Sequence, residues 1–276
     1  AEKTLDIYLE NAKRPFLRLN TSHLKSLDVT SLPQIFFMHI PKTAGTSFNE
    51  FMRMHVPSET YENHIEKYKE REYPALAQDN SYLAGHLPIE QIKKYFVLSD
   101  FELYSIVRNP HKHLHSHLNW LKGMAAHHGT NFLKRHNDDV QGLVTKIDAL
   151  DFANIQQVGD FVATLKGFEL NFFDNCQTRY FLDYKPQKVS PDDFRNTLEN
   201  ISLFKHIGLT EEYDRFKRYI TATYSLPETL MSSSFNKAMH GSLYNHTSPA
   251  IREVLNPLIE TDILLYDHIK EEFKDH

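Results

Sequence analysis

Apolar residues in this chain gather in short runs that do not alternate with polar ones: Gln34-Ile-Phe-Phe-Met-His39, Phe101-Glu-Leu-Tyr-Ser-Ile-Val107 and, more briefly, Ser81 to Gly85 and Leu203 to Leu209. Runs of this kind suit strands of a parallel sheet covered on both faces. Between and beyond them the chain reads as helical, over Thr46 to about His55, Pro88 to about Tyr95, His111 to about Ala126, Val158 to Phe168, Asn171 to Leu182, Pro191 to Asn200, Glu211 to Tyr224 and Ser248 to about Phe273. The charged stretch Tyr61 to Tyr73 predicts one more helix, exposed and solvated. Strands alternating with helices make this an α/β chain with a central parallel sheet flanked by helices and a helix-rich C-terminal half.

No Pro/Gly/Ser-rich linker interrupts the 276 residues, and 41% hydrophobic content supplies one sizeable core. The expectation is a single domain over 1–276, with 1–33 as a peripheral arm that ends in the turn-forming Ser31-Leu32-Pro33. A formal net charge of −5 excludes a general basic field for nucleic acid or an anionic membrane, so any polyanion must be held by a local patch. The single cysteine, Cys176, excludes an internal disulfide framework and suits a small buried apolar role in a reducing compartment. With no apolar run of membrane-spanning length and no basic-then-apolar leader, the expectation is a cytoplasmic protein with no transmembrane segment, unless an upstream anchor or signal preceded Ala1.

Chemistry enters immediately after the first strand, at Pro41-Lys42-Thr43-Ala44-Gly45-Thr46-Ser47-Phe48. A strand, a turn of small residues and a helix whose first amides lack intrahelical partners form an anion cradle, and Lys42 adds a positive charge at its mouth. The cradle is P-loop-like, yet a nucleotide loop of the GxxxxGK[ST] type places lysine after its last glycine, next to a hydroxyl for magnesium. Here lysine precedes the only glycine of the segment by three residues. A second group follows another strand: Arg108-Asn109-Pro110, with Ser116 eight residues after Arg108 on the helix that Pro110 opens. Arginine offers a planar fork of donors to phosphate oxygens and serine a compact hydroxyl. Such groups collect beyond the carboxyl ends of parallel strands.

Together the two segments resemble the phosphate-binding motifs of sulfotransferases that use 3′-phosphoadenosine 5′-phosphosulfate (PAPS), in particular the carbohydrate 2-O- and 3-O-sulfotransferase branch. The family's 3′-phosphate motif runs Arg-Asn-Pro-x-x-Arg-x-x-Ser, and this chain departs from it at the inner arginine, where His113 stands. Asn175-Cys-Gln-Thr-Arg-Tyr180, Gly208-Leu-Thr-Glu-Glu212 and Ile263-Leu-Leu-Tyr-Asp267 are also similar to family segments. The resemblance implies transfer of a sulfuryl group from PAPS to an acceptor hydroxyl, the acceptor being a glycan or glycoconjugate. It implies that Thr43, Ala44, Gly45, Thr46 and Ser47 hold the 5′-phosphate, that Arg108 and Ser116 hold the 3′-phosphate, and that Lys42 stabilises the leaving group. It also implies His86, in Leu83-Ala-Gly-His-Leu-Pro88, as the base, and Lys237, in the polar segment Ser232 to Ser242, as a further 3′-phosphate contact, although Lys237 also reads as an ordinary exposed lysine. Arg179 could touch an acceptor or an internal carboxylate, and His39 reads as structural. The pairs His111/His115 and His113/His117 have helical spacing for a metal, but no carboxylate or thiolate completes either set, and no metal is expected. The competing classes are a P-loop kinase or nucleotide hydrolase, and a nucleotide- or glycan-binding module without catalysis.

Overall fold

The computed structural model of the chain describes residues 33–125, 131–134, 136–227 and 243–273. Five strands form one sheet, β1 (Gln34–Met38), β2 (Tyr61–Glu62), β3 (Tyr82–Gly85), β4 (Phe101–Val107) and β5 (Phe204–Leu209), in the order β2-β3-β1-β4-β5. Every pairing is parallel. Except at its two-residue edge strand the sheet is buried almost throughout, as the unalternating runs require.

The helices are α1 (Gly45–Arg53), α2 (Tyr73–Asp79), α3 (Ile89–Tyr95), α4 (Pro110–Ala125), α5 (Asn131–Lys134), α6 (Asp138–Asp148) and α7 (Ile155–Thr164), followed by α8 (Gly167–Phe173), α9 (Cys176–Tyr180), α10 (Phe194–Ile201), α11 (Tyr213–Thr223), α12 (Pro249–Leu255) and α13 (Glu260–Glu272). Two apolar clusters divide the interior. One packs β1, β3, β4 and β5 through Phe36, Leu83, Leu103 and Ile207 against Ile92, Ile201 and Leu265. The other is helical, built on Leu118, Leu121, Val144, Ile147, Val158 and Ile251. The described residues form one compact unit, and among them no helix is long and apolar enough to cross a membrane.

Several boundaries differ from the expected ones for local reasons. Tyr61 to Tyr73 is not a helix: it supplies edge strand β2, and His64 then turns at φ 54° into short helical turns at Ile65–Lys67 and Glu70–Glu72. Burial of Ile65 and Tyr73 holds it down, and the Tyr61 ring stacks on Tyr82 with centroids 5.0 Å apart. The expected helix from Ser248 is broken at Asn256–Leu258, where Pro257 cannot donate to the helical ladder. The expected helix Asn171 to Leu182 is likewise split, because Asn175 adopts a left-handed conformation at φ 46°, and the expected helix Val158 to Phe168 breaks at extended Leu165. α6 was not foreseen. Arm residues 1–32 lie outside the described residues.

Chain order places the site. From β1 the chain runs to β2 and β3 on one side, whereas from β4 it runs to β5 on the other. The carboxyl ends of β1 and β4, adjacent in the sheet, therefore open a crevice of the kind in which α/β sheets bind ligands.

Candidate functional site

β1 delivers the chain into a loop that closes on α1. Lys42 and Ala44 both take left-handed conformations, at φ 67° and 72°, which cost energy for any residue with a Cβ. The surrounding structure holds them there by taking every carbonyl from residue 40 to 44. Thr43 Oγ1 donates to the Ile40 carbonyl at 2.8 Å, and the Nε2–H of His113 donates to that of Pro41 at 2.9 Å. Arg108 Nη1 donates to the Lys42 carbonyl at 3.1 Å, and the Phe48 amide to that of Ala44 at 3.2 Å. Thr210 Oγ1 shares its proton between the Thr43 carbonyl at 2.9 Å and the Val107 carbonyl at 3.1 Å.

The amides are what remains. Left-handed Ala44 followed by right-handed Gly45 is an alternation that turns consecutive N–H groups to one side. No side chain caps α1 and its first turn holds no acid, and among the described residues the amides of 42–47 have no protein acceptor. A helix N-terminus left in this state favours an anion. The side chains of the loop are otherwise occupied or outward: the Thr43 hydroxyl is spent inside the loop, Thr46 is exposed and Ser47 half-buried.

The glycine has a different duty from the one a phosphate loop suggests. A Cβ on Gly45 would lie 2.0 Å from Cδ2 of His39, so the position must be glycine for the buried His39 ring to lie across the start of α1. We expect Gly45→Ala to cost about 1–3 kcal/mol through overpacking, read as a lower urea midpoint at unchanged m-value. An unchanged midpoint would mean that the His39 ring does not lie there.

His39 also orients the candidate base. Its carbonyl sits 2.6 Å from Nδ1 of His86, and the two rings are 4.3 Å apart. A carbonyl only accepts, so Nδ1 carries the proton and the lone pair of neutral His86 is on Nε2. Burial lowers the His86 pKa below its ordinary value, against the opposing charge of Glu66, which favours the neutral base. Glu66 Oε2 accepts the His86 amide at 3.0 Å, and its reach depends on Gly85, where a Cβ would lie 2.9 Å from that oxygen. Burial alone would raise the Glu66 carboxyl, but hydrogen bonds from His64 and the His86 amide hold it down at about 2.

Arg108 faces this arrangement from the end of β4. Gln177 grips its backbone from both sides, with Oε1 accepting the Arg108 amide at 2.7 Å and Nε2 donating to the carbonyl at 2.9 Å. Gln177 is itself fixed by exchanged caps. The Asp262 carboxylate accepts the amides of Gln177 and Thr178 at 3.3 and 2.7 Å, while Asn175 Oδ1 accepts those of Thr261 and Asp262 at 2.7 and 3.0 Å. Burial raises the Asp262 pKa to about 6 despite these bonds. The Asn109 amide is held by Glu211 at 3.2 Å. The segments 175–180 and 208–212 thus brace the Lys42 loop and the Arg108 segment from behind. Arg179 takes the internal alternative, with Nη2 2.5 Å from Oδ2 of fully buried Asp174.

Electrostatically the crevice is unbalanced. Burial, then the charge of Arg108, lowers the Lys42 pKa, and burial lowers that of Arg108. Neither cation joins an ion pair among the described residues, and Nε of Arg108 is buried without a partner. The Lys42 ammonium lies 5.7 Å from the centroid of the Trp120 ring. His113, the departure from the family pattern, is buried and its pKa is pushed down to about 4, so a neutral ring rather than a guanidinium secures Pro41.

Lys42, the loop amides, Arg108 and, through His39, His86 are therefore gathered around the ends of β1, β3 and β4. Ser116 lies half-buried on α4 one turn beyond His113, and its hydroxyl makes no hydrogen bond among the described residues. Lys237 lies outside the described residues. Within 111–117 the histidines separate: His113 and His117 are buried, whereas His115 packs on Tyr244 and His246. Cys176 is buried and free, its thiol pushed up to about 12 by burial. His64, Glu66, Gln177 and Thr210 were not singled out from the sequence, although His64-Ile-Glu66 is a compact histidine-carboxylate pattern in its own right. Comparison of the chain with protein-family models and with curated proteins gives no match.

Proposed function

We propose that the protein is a PAPS-dependent sulfotransferase acting on a hydroxyl acceptor, with a glycan or glycoconjugate as the favoured class. One observation carries the proposal: a loop whose carbonyls are all taken and whose amides are left over is flanked by two half-buried cations without an ion pair among the described residues. Two half-buried like charges fit a ligand with two anionic groups. The order of the loop, with lysine ahead of the glycine, matches the phosphosulfate motif rather than a magnesium-nucleotide one.

The resemblance suggests the roles, and the chain's own groups support them. The amides of 43–47 bind the 5′-phosphate, and Arg108, kept in place by Gln177, binds the 3′-phosphate. Nε2 of His86 accepts the proton of the acceptor hydroxyl as its oxygen forms the new bond to sulfur. The sulfur–oxygen bond on the far side breaks in line, and Lys42 neutralises the charge that develops on the departing phosphate. The single free cysteine accords with a reducing, cytoplasmic setting.

Calorimetry with adenosine 3′,5′-diphosphate, against ATP with magnesium, tests the cradle. The diphosphate should bind and ATP–magnesium should not. Arg108→Ala should weaken diphosphate binding by about 10- to 100-fold, the worth of charge-assisted hydrogen bonds. Preference for ATP–magnesium would favour a kinase or hydrolase, and unchanged affinity in the variant would remove Arg108 from the site. Binding of the diphosphate without sulfuryl transfer to any of a panel of glycans and small alcohols would leave a binding module.

A further inference from the structure

Three metal-ligating side chains converge beside the loop: His64, Glu66 and His86 present ring nitrogens and a carboxylate oxygen that all lie within 4.8 Å of one another. The first two belong to the turn that departed from its expected helical form. His64, left-handed at φ 54°, and the following Ile65–Lys67 turn carry Glu66 back over Gly85, so both residues meet His86 at the end of β3. Nδ1 of His64 and Oε1 of Glu66 already sit 3.0 Å apart.

The donor set and its support fit an ion. Two imidazoles and one carboxylate are the ligands of three-residue zinc sites that keep a fourth position open. Bound to such an ion at about 2.0–2.2 Å, the ligand atoms stand about 3–3.5 Å apart, a modest contraction from the present spacing. The His64 side chain is about half exposed, at 47%, and Glu66 is 31% exposed, so both can make that adjustment. His86 has the support that ligating histidines require: its Nδ1–H is given to the His39 carbonyl, which leaves Nε2 as the ring nitrogen with a lone pair for an ion. The ring of His39 backs the cluster at 4.3 Å from His86 and 6.1 Å from His64, with its Nδ1 buried and unpartnered among the described residues.

We propose that His64, Glu66 and His86 form a binding site for a divalent transition-metal ion of the zinc class, and that filling it switches the enzyme off. The first half stands on the cluster alone, whereas the second rests on the sulfotransferase reading. The Nε2 lone pair that ligates the ion is the one that would accept the acceptor's proton, and it cannot do both. Zinc is then a reversible inhibitor competing with deprotonation of the acceptor and not with binding of the adenosine 3′,5′-diphosphate product.

The test uses the metal-stripped full chain titrated with zinc chloride by calorimetry, with cobalt(II) in parallel for its visible absorption. One site is expected, weakened by more than about tenfold in both His64→Ala and Glu66→Gln, by analogy with the loss seen when groups supporting a metal are removed. The doubly substituted His115→Ala/His246→Ala chain, which removes a separate pair of adjacent imidazoles 5.6 Å apart, should bind zinc as the parent does. Equal affinity in the parent, His64→Ala and Glu66→Gln, or loss only in the His115/His246 variant, overturns the site. Where transfer activity is found, zinc should inhibit the parent and inhibit His64→Ala at least about tenfold less well, whatever the basal rate of that variant. Inhibition that persists equally in His64→Ala overturns the switch. If no transfer is found on any acceptor, the switch falls with the sulfotransferase reading, and the calorimetry still decides the site.

Discussion

His86→Ala should lower the turnover of sulfuryl transfer by about 10²- to 10⁴-fold, the range supplied by a positioned general base, with little change in affinity for adenosine 3′,5′-diphosphate. The His39 carbonyl fixes the tautomer, so on the proposed reading the base is Nε2 of a neutral ring. Burial lowers the pKa of that ring, and in the proposed role only its neutral form would be active. Turnover should therefore persist as pH falls past the ordinary histidine value of about 6.5 and be lost only below it. Because the Glu66 charge partly opposes the lowering, Glu66→Gln should move this acid limb still lower. The pH profile of kcat/KM in parent and Glu66→Gln enzymes checks both statements. A limb above 6.5, or near-normal turnover in His86→Ala, removes His86 from the role.

Lys42→Ala should cost about 10²- to 10³-fold in kcat, comparable to losing one preorganised donor at a site of developing charge. Alanine replaces lysine at a left-handed position without new strain, since both carry a Cβ and the loop carbonyls remain bonded to Thr43, His113, Arg108 and Thr210. The loss therefore reports charge rather than collapse of the loop. Thermal stability of the ligand-free variant should be unchanged or higher, because a cation pressed against Arg108 has been removed. Lys42→Arg should restore little, since a planar fork does not replace a compact point charge. The kcat of the two variants, read beside their melting temperatures, decides the role of Lys42; near-normal turnover in Lys42→Ala sinks it.

The two cationic motifs could be read because their chemistry is local. Lys42 and Arg108 each follow a strand that the apolar pattern announces, and parallel strands bring such loops to one edge of the sheet. What could not be read was the support. Thr210 reaches Thr43 across 167 positions and Gln177 reaches Arg108 across 69. No periodicity encodes a pairing of that separation, because it depends on strand order and on the packing of α9 against α13. The turn at 61–73 was misread for a related reason: its charges suit a solvated helix, while Ile65 and Tyr73 are drawn into the core only once the sheet exists.

By itself the sequence determined four of the five strands of the parallel sheet, the positions of Lys42, Arg108 and His86 at their ends, and the order of groups that sets this loop apart from a magnesium-nucleotide one. Each of these is a matter of residue type and near neighbours. Tertiary structure alone decided that Gly45 serves His39, that His113 acts as a neutral tether, that Ser116 has no partner among the described residues, and that Glu66 is carried back to His86. Those outcomes turn on which backbone atoms are left unpaired and which rings share a space, and both are settled only when distant segments are packed together.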